Sequence, residues 1–252
     1  MSQPEGKDIR SRLLSLQRSG HRLQAVPMAV RDLPRKPSPQ TDIAVLCHGR
    51  NREDGSFDWL YAYLPNANAN DEVLSAPTRP FLQSCGEHTV PLAGLCPADP
   101  FHHPEILLDR VMEAGFRGVH NFPSTCLLDG SFRSTLEQNH MGFHKEVNFM
   151  KLAVSRGVFT FAMVSGSSEA LLMRDAGVQA LVLVPGVSLL LQHDGLRLYR
   201  EECQRTLSLL QDDTLFFCCW PDRAAHAELA YFLQKISGFY SYLSPETARA
   251  DG

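Results

Sequence analysis

The sequence predicts an α/β protein folded as a single (β/α)8 barrel, the TIM barrel, over residues 1–252. Three observations carry this prediction. Eight short apolar runs alternate with stretches of helical periodicity, the pattern of parallel strands buried on both faces and covered by helices. The spacing between the runs suits right-handed crossovers. The chain has 252 residues, 44% of them hydrophobic, which is enough for one large core, and no linker divides it.

Each element follows in order. Residues 1–8 are polar and expected to be disordered. Residues 9–19 hold an extra N-terminal helix, with Leu13, Leu14 and Leu16 among charges from Ile9 to Gln17 and an end near Gly20. Leu23 to Val30 is the first strand, followed by a loop stiffened by Pro34, Pro37 and Pro39. Asp42 to Cys47 is the second, ending in His48-Gly49-Arg50. Gly55 to Leu64 reads as a short aromatic-rich helix, and Asn70 to Cys85 as a helical stretch interrupted by Pro77 and Pro80. Thr89 to Leu95 is the third strand, and the helix Glu105 to Ala114 sets Ile106, Leu107, Val111 and Met112 on one face. Arg117 to Asn121 is the fourth strand. After it come turns at Asn121-Phe122-Pro123 and Asp129-Gly130, with Ser131 as an N-cap. Phe132 to Arg156 is helical with a break at Met141-Gly142. Val158 to Met163 is the fifth strand, and Ser167 and Ser168 cap the helix Glu169 to Ala176. Ala180 to Val184 is the sixth strand and Arg197 to Leu210 a helix. Leu215 to Cys219 is the seventh strand, Asp222 caps a helix ending near Lys235, and Phe239 to Leu243 is the eighth strand. The tail after Leu243 is short for an eighth helix, so the N-terminal helix is expected to cover the barrel bottom or a neighbouring subunit. The apolar surface left over predicts a homo-oligomer.

Composition excludes several classes. Net charge is −4 and the basic residues are scattered, so neither nucleic acid nor an anionic membrane is an expected partner. The longest apolar run, Ala180 to Leu191, is broken by Pro185-Gly186 and is too short to span a bilayer. The 7 cysteines are odd in number, Cys218 and Cys219 are adjacent, and no C-x-x-C pair or signal peptide is present. That pattern reads as reduced thiols in a cytoplasmic protein without structural zinc.

In a parallel barrel, ligands bind at the carboxyl ends of the strands. The candidates there are Cys47-His48, Cys96 through Asp99, His120-Asn121, Met163 to Ser165, Cys218-Cys219-Trp220 and Tyr240. An amide such as Asn121 can hold an oxyanion or cap its own loop. Cys96 is either a nucleophilic thiolate or a small buried residue. Asp99 can act as a general base, bind a divalent ion or cap the next segment. His48 can move protons near neutral pH, and Arg50 can grip a carboxylate with two hydrogen bonds. Phe122, Met163 and Trp220 are apolar candidates for substrate contact. Glu146 lies one turn past a glycine and either reaches the site or forms an ion pair. His102 and His103 are adjacent and point in different directions, so they do not make a pair of ligands.

The stretch VHNFPSTCLLDGSFRSTLEQNHMGFHKEVNFMKLA, from Val119, resembles the phosphoenolpyruvate hydrolase-like family of TIM-barrel signal-transduction proteins. That family reads roughly Q-N-F-P-T, D-G-x-F-R, L-E-x-x-G-M-G and E-V. Asn121, Phe122, Pro123, Asp129, Gly130, Phe132, Arg133, Leu136, Glu137, Met141, Gly142, Glu146 and Val147 fall in step. Leu64-Pro-Asn-Ala-Asn-Ala-Asn70 is similar to L-P-Y-G-D-A-N, and Ala93-Gly-Leu-Cys-Pro-Ala-Asp-Pro-Phe101 to A-G-V-C-G-T-D-P-F. The likeness runs from about residue 10 to about residue 185.

The resemblance implies a barrel of the isocitrate lyase/PEP mutase type. It implies a hydrolase or lyase acting next to the carbonyl or enol of a small keto- or enol-acid substrate. Asn121 would then hold the enolate oxygen, with Asp99, Cys96 or His48 moving protons. No cofactor is called for, although Asp99 offers a carboxylate to Mg2+. Two loops depart from the family. Its first strand runs into G-A-G-T-G-L-S-A-K, whereas Ala25 to Lys36 here contains no glycine. Its sixth strand ends in V-A-H-M-G-L-T-T-G-G, whereas Leu181 to Leu190 here is apolar and lacks the histidine. Both losses suggest a diverged member with an apolar site ill suited to phosphate, as in secondary metabolism. A non-catalytic ligand-binding or regulatory barrel fits them equally well.

Overall fold

The computed structural model describes residues 6–34, 36–49, 68–75, 78–128, 130–186, 189, 192–211, 213–220 and 224–241. Eight strands form a closed parallel barrel in sequence order: β1 Leu23–Ala29, β2 Ile43–Cys47, β3 Val90–Leu95, β4 Gly118–Asn121, β5 Phe159–Val164, β6 Ala180–Leu183, β7 Leu215–Cys218 and β8 Gly238–Tyr240. β8 returns to β1 through the register Leu23 to Gly238. All residues of β2 through β8 are buried, as expected for strands covered on both faces. The helices are α1 Gly6–Arg18, α2 Ala69–Val73, α3 Thr78–Ser84, α4 Pro104–Ala114, α5 Gly130–Gln138, α6 Phe143–Ser155, α7 Ser167–Asp175, α8 Gly195–Leu209 and α9 Ala224–Phe232. The expected helix at 55–64, the cap at Asp222 and the chain after Leu243 lie outside the described residues.

The N-terminal helix closes the bottom of the barrel. Ile9, Leu13 and Leu14 are buried in the chain's own core. Gly6 N–H donates to the Gly157 carbonyl at 2.7 Å, and Arg12 reaches the His88 carbonyl at 2.9 Å, both ahead of strands. α1 is therefore part of this barrel, with Ile9, Leu13 and Leu14 packed on the chain's own core.

Several local expectations are corrected. On α4 the buried face is Leu107, Leu108 and Val111, while Ile106 and Met112 are exposed. α5 begins at Gly130, so Ser131 lies within its first turn rather than at the cap. α7 begins at Ser167 after Gly166 with no hydroxyl cap, and the Ser167 N–H donates instead to Glu202 of α8 at 2.7 Å. The break before α6 is where expected. Glu137 accepts the Phe143 N–H at 2.9 Å, and His140 sits at φ 56, left-handed backbone that favours glycine. It stands where the resembled pattern reads glycine.

Candidate active site

The register pairs Leu95 with Asn121, so the ends of β3 and β4 share one rim. At β4 that rim is sealed. Asn121 is fully buried. Its Oδ1 accepts the Met163 N–H at 2.6 Å, and its Nδ2 donates to the Met163 carbonyl at 3.1 Å, clamping β4 to β5. Nδ2 also donates to Glu146 Oε2 at 2.7 Å and to Ser124 Oγ at 3.3 Å. Glu146 projects from the first turn of α6 and is fully buried. Its second oxygen accepts the Thr125 N–H at 2.7 Å and the Thr125 hydroxyl at 2.6 Å, while Ser124 donates to its first at 2.7 Å. Burial raises the Glu146 carboxyl to about 7 against the pull of these donors. The Asn121 amide thus has its hydrogen-bonding capacity spent on protein, which speaks against its holding an enolate. Phe122 and Met163 are likewise fully buried beside it.

His120 points into the barrel interior among the rings of Phe122, Phe161 and Tyr240. Its Nδ1 donates to the Phe161 carbonyl at 2.8 Å, and burial lowers its pKa to about 4, which keeps it neutral. Cys96, 1% exposed, is held by burial, with the nearby Glu146 and Asp99 charges adding to it, at a pKa of about 12, so its sulfur is a thiol and not a thiolate. All seven cysteines are free.

The rim at β2 and β3 is built differently. Short α2 contributes three consecutive polar side chains, each to a different task. Asn70 accepts the Cys96 N–H at 2.9 Å and donates to the Cys96 carbonyl at 3.1 Å and to Asp99 at 3.0 Å. Asp71 meets His102 at 3.2 Å and Arg110 at 2.6 Å. Glu72 meets His48 Nδ1 on one oxygen and Arg31 at 3.2 Å on the other. Asp99 completes a chain, with His102 Nδ1 on its Oδ2 at 2.6 Å and the Phe101 N–H on its Oδ1 at 2.8 Å. His48 is 4% exposed, and its Nε2 has no hydrogen-bond partner among the described residues. Two carboxylate-held imidazoles therefore stand on one rim.

Of the residues singled out from sequence, this rim brings together His48 and Asp99, with the Cys96 backbone bound into the same network. Arg50 lies outside the described residues. Trp220 is half-buried at the end of β7, with its ring 5.2 Å from that of Tyr199. Sequence reasoning missed Asn70, Asp71 and Glu72 as site residues and set His102 aside. The signal for the first three was present, since the matched L-P-N-A-N-A-N stretch ends at Asn70 and runs straight into two carboxylates.

The arrangement does not fit Mg2+ at Asp99. Both its oxygens already receive donors, and the Lys145 ammonium lies on the neighbouring carbonyls of Ala98 at 3.3 Å and Asp99 at 3.0 Å. No group of three His, Cys, Asp or Glu suited to a metal occurs among the described residues. No described helix is long and apolar enough to cross a membrane.

Known proteins match this chain in sequence and in fold. A family model described as phosphoenolpyruvate hydrolase-like matches residues 39–241. The ToMV resistance protein Tm-1(GCR237) of Solanum lycopersicum is 36% identical over 148 residues, 58% of this chain and 19% of that protein. The chain thus spans about a fifth of the length of this tomato relative. The protein y4oT of Sinorhizobium fredii is 31% identical over 162 residues, 64% of this chain and 80% of that one. Among solved structures, 2,3-dimethylmalate lyase, a PEP mutase/isocitrate lyase superfamily member, superposes with a TM-score of 0.54 at 12% identity, over 96% of this chain and 84% of that one. At that identity the likeness is one of fold.

Proposed function

The chain belongs to the phosphoenolpyruvate hydrolase-like family, and from that premise we propose that it is a hydrolase or lyase acting at a bond next to the carbonyl or enol of a small keto or enol acid. One observation carries the reading. His48, at the carboxyl end of β2, is nearly buried, with Nδ1 held by the Glu72 carboxylate and Nε2 without a hydrogen-bond partner among the described residues. A carboxylate on one ring nitrogen fixes the tautomer and orientation of the imidazole, leaving the other nitrogen to take or give a proton. Arg31 on the far oxygen of Glu72 at 3.2 Å helps to aim that carboxylate. Asp99 and His102, joined on the adjoining rim, form a second pair able to handle the proton on the opposite side of a substrate. Both sit on the face where parallel barrels bind ligands.

The test is turnover of a panel of β-keto and enol acids by the wild type and by His48→Gln, as a function of pH. The reading expects activity with a pH profile that depends on His48 and that is lost in the variant. Equal turnover by the two proteins would refute it.

A second reading, a ligand-binding or regulatory barrel without catalysis, is favoured by the sealed end of β4, where Asn121, Glu146 and Cys96 all serve the fold. The tomato relative carries the name of a resistance protein rather than of an enzyme. Saturable binding without turnover across the same panel would select this reading.

A further inference from the structure

The face opposite the rim carries a cavity of about 520 Å3 where α1 crosses the bottom of the barrel. Four cations line it: Lys7 and Arg10 from α1, Arg117 ahead of β4, and Arg156 at the end of α6. No carboxylate is among its described lining residues. Two of the cations have outside partners, Arg10 in Asp213 and Arg156 in Asp109. Lys7 and Arg117 have no ion-pair partner among the described residues. Arg117 also stands close enough to Arg12 that its charge joins burial in lowering the Arg12 pKa, with Asp42 acting in the opposite sense.

Gln179 supplies an independent observation. It is 9% exposed and lines the same cavity. Its Oε1 is fixed by the Thr160 N–H at 2.8 Å and the Thr160 hydroxyl at 3.0 Å. Its Nε2 has no hydrogen-bond partner among the described residues. A nearly buried amide and four cations thus converge, with the Phe116 ring as an apolar wall. The volume falls within the range of roughly 300–1,000 Å3 typical of small-molecule sites.

We propose that this cavity binds a small organic phosphate, with Lys7, Arg117 and Gln179 on the anion and α1 held to the barrel through it. A guanidinium fork and an amide match oxyanion geometry better than scattered surface lysines do. The site lies on the other face of the barrel from His48 and stands independently of the activity proposed there.

Calorimetric titration of inorganic pyrophosphate into the full chain tests it. The expected result is saturable binding that weakens with added salt and falls at least about tenfold in Lys7→Gln/Arg117→Gln. Lys7 is exposed, so Lys7→Glu alone guards against misfolding of the double variant and is expected to weaken binding by about threefold or more. Arg31→Gln, on the opposite rim, is expected to bind as the wild type does. Absence of saturable binding, survival of binding in the double variant, or its loss in Arg31→Gln would overturn the proposal.

Discussion

The ends of β4 and of β2–β3 lie on one rim and are built to opposite plans. At β4, Asn121, Ser124, Thr125 and Glu146 are fully buried and bonded to one another. At β2–β3, His48, Glu72, Asp99 and His102 form imidazole–carboxylate pairs in which all members but His48 retain partial exposure. A buried polar network with its bonds satisfied rigidifies a fold, and each group in it has little left for a ligand. An imidazole–carboxylate pair at the edge of solvent can still exchange a proton with something that arrives. The stretch richest in matched motif residues is thus the lock that joins β4, β5 and α6, and the groups fit for chemistry lie beside it.

The largest effect expected is on turnover. His48→Gln should lower kcat/KM by about 10²–10⁴-fold, the range for loss of a positioned acid–base group, with little change in the urea midpoint. A variant that loses stability and keeps its activity would move His48 to the structural side of the contrast. Next is Glu146→Ala, which strands four donors in the interior and should cost on the order of 4 kcal/mol in urea unfolding. A loss below about 1 kcal/mol would mean that the β4 end is not a lock.

The pH dependence sharpens the same point. The folded pKa of Glu146 is raised to about 7, so its contribution to stability is fully present below its unfolded value and lost as pH rises through about 7. The folded pKa of His120 is lowered to about 4, so its contribution is present above its unfolded value near 6.5 and lost as pH falls through about 4. Each spans on the order of 3 kcal/mol, and the two oppose each other between about pH 4.5 and pH 6.5. Over that window the wild type should be nearly flat in these two contributions. His120→Phe should show stability falling as pH rises, and Glu146→Gln stability rising with pH. Identical slopes in the two variants would contradict the assignment. The smallest effect lies at the turn before α6, where His140→Gly should stabilise by about 0.5–1 kcal/mol by relieving left-handed backbone at φ 56.

The barrel was legible because eight buried runs of β-favouring residues recur at crossover spacing; the first seven strands appear within one residue of their expected bounds, and the eighth ends at Tyr240, three residues before the expected Leu243. The Gly142 break was legible for a local reason, a turn between two helices. Site assignment was less so. An amide at a strand end reads the same in sequence whether it faces a substrate or the next strand, and only the pairing of Asn121 with Met163 decides. His102 was set aside because His103 follows it, yet His103 is exposed and pairs with Glu105 while His102 turns inward to Asp99. The role of Asn70, Asp71 and Glu72 depends on partners 24 to 41 residues away in the chain, which spacing alone does not reveal.

The contrast is tested most directly by kcat/KM per folded molecule for Asn121→Ala and His48→Gln, measured on the same substrate at a temperature where both remain folded. The expected result is that Asn121→Ala, though less stable by about 2 kcal/mol, keeps activity within about threefold of wild type while His48→Gln loses it. Activity lost in Asn121→Ala and kept in His48→Gln would return the chemistry to the end of β4 and contradict the account.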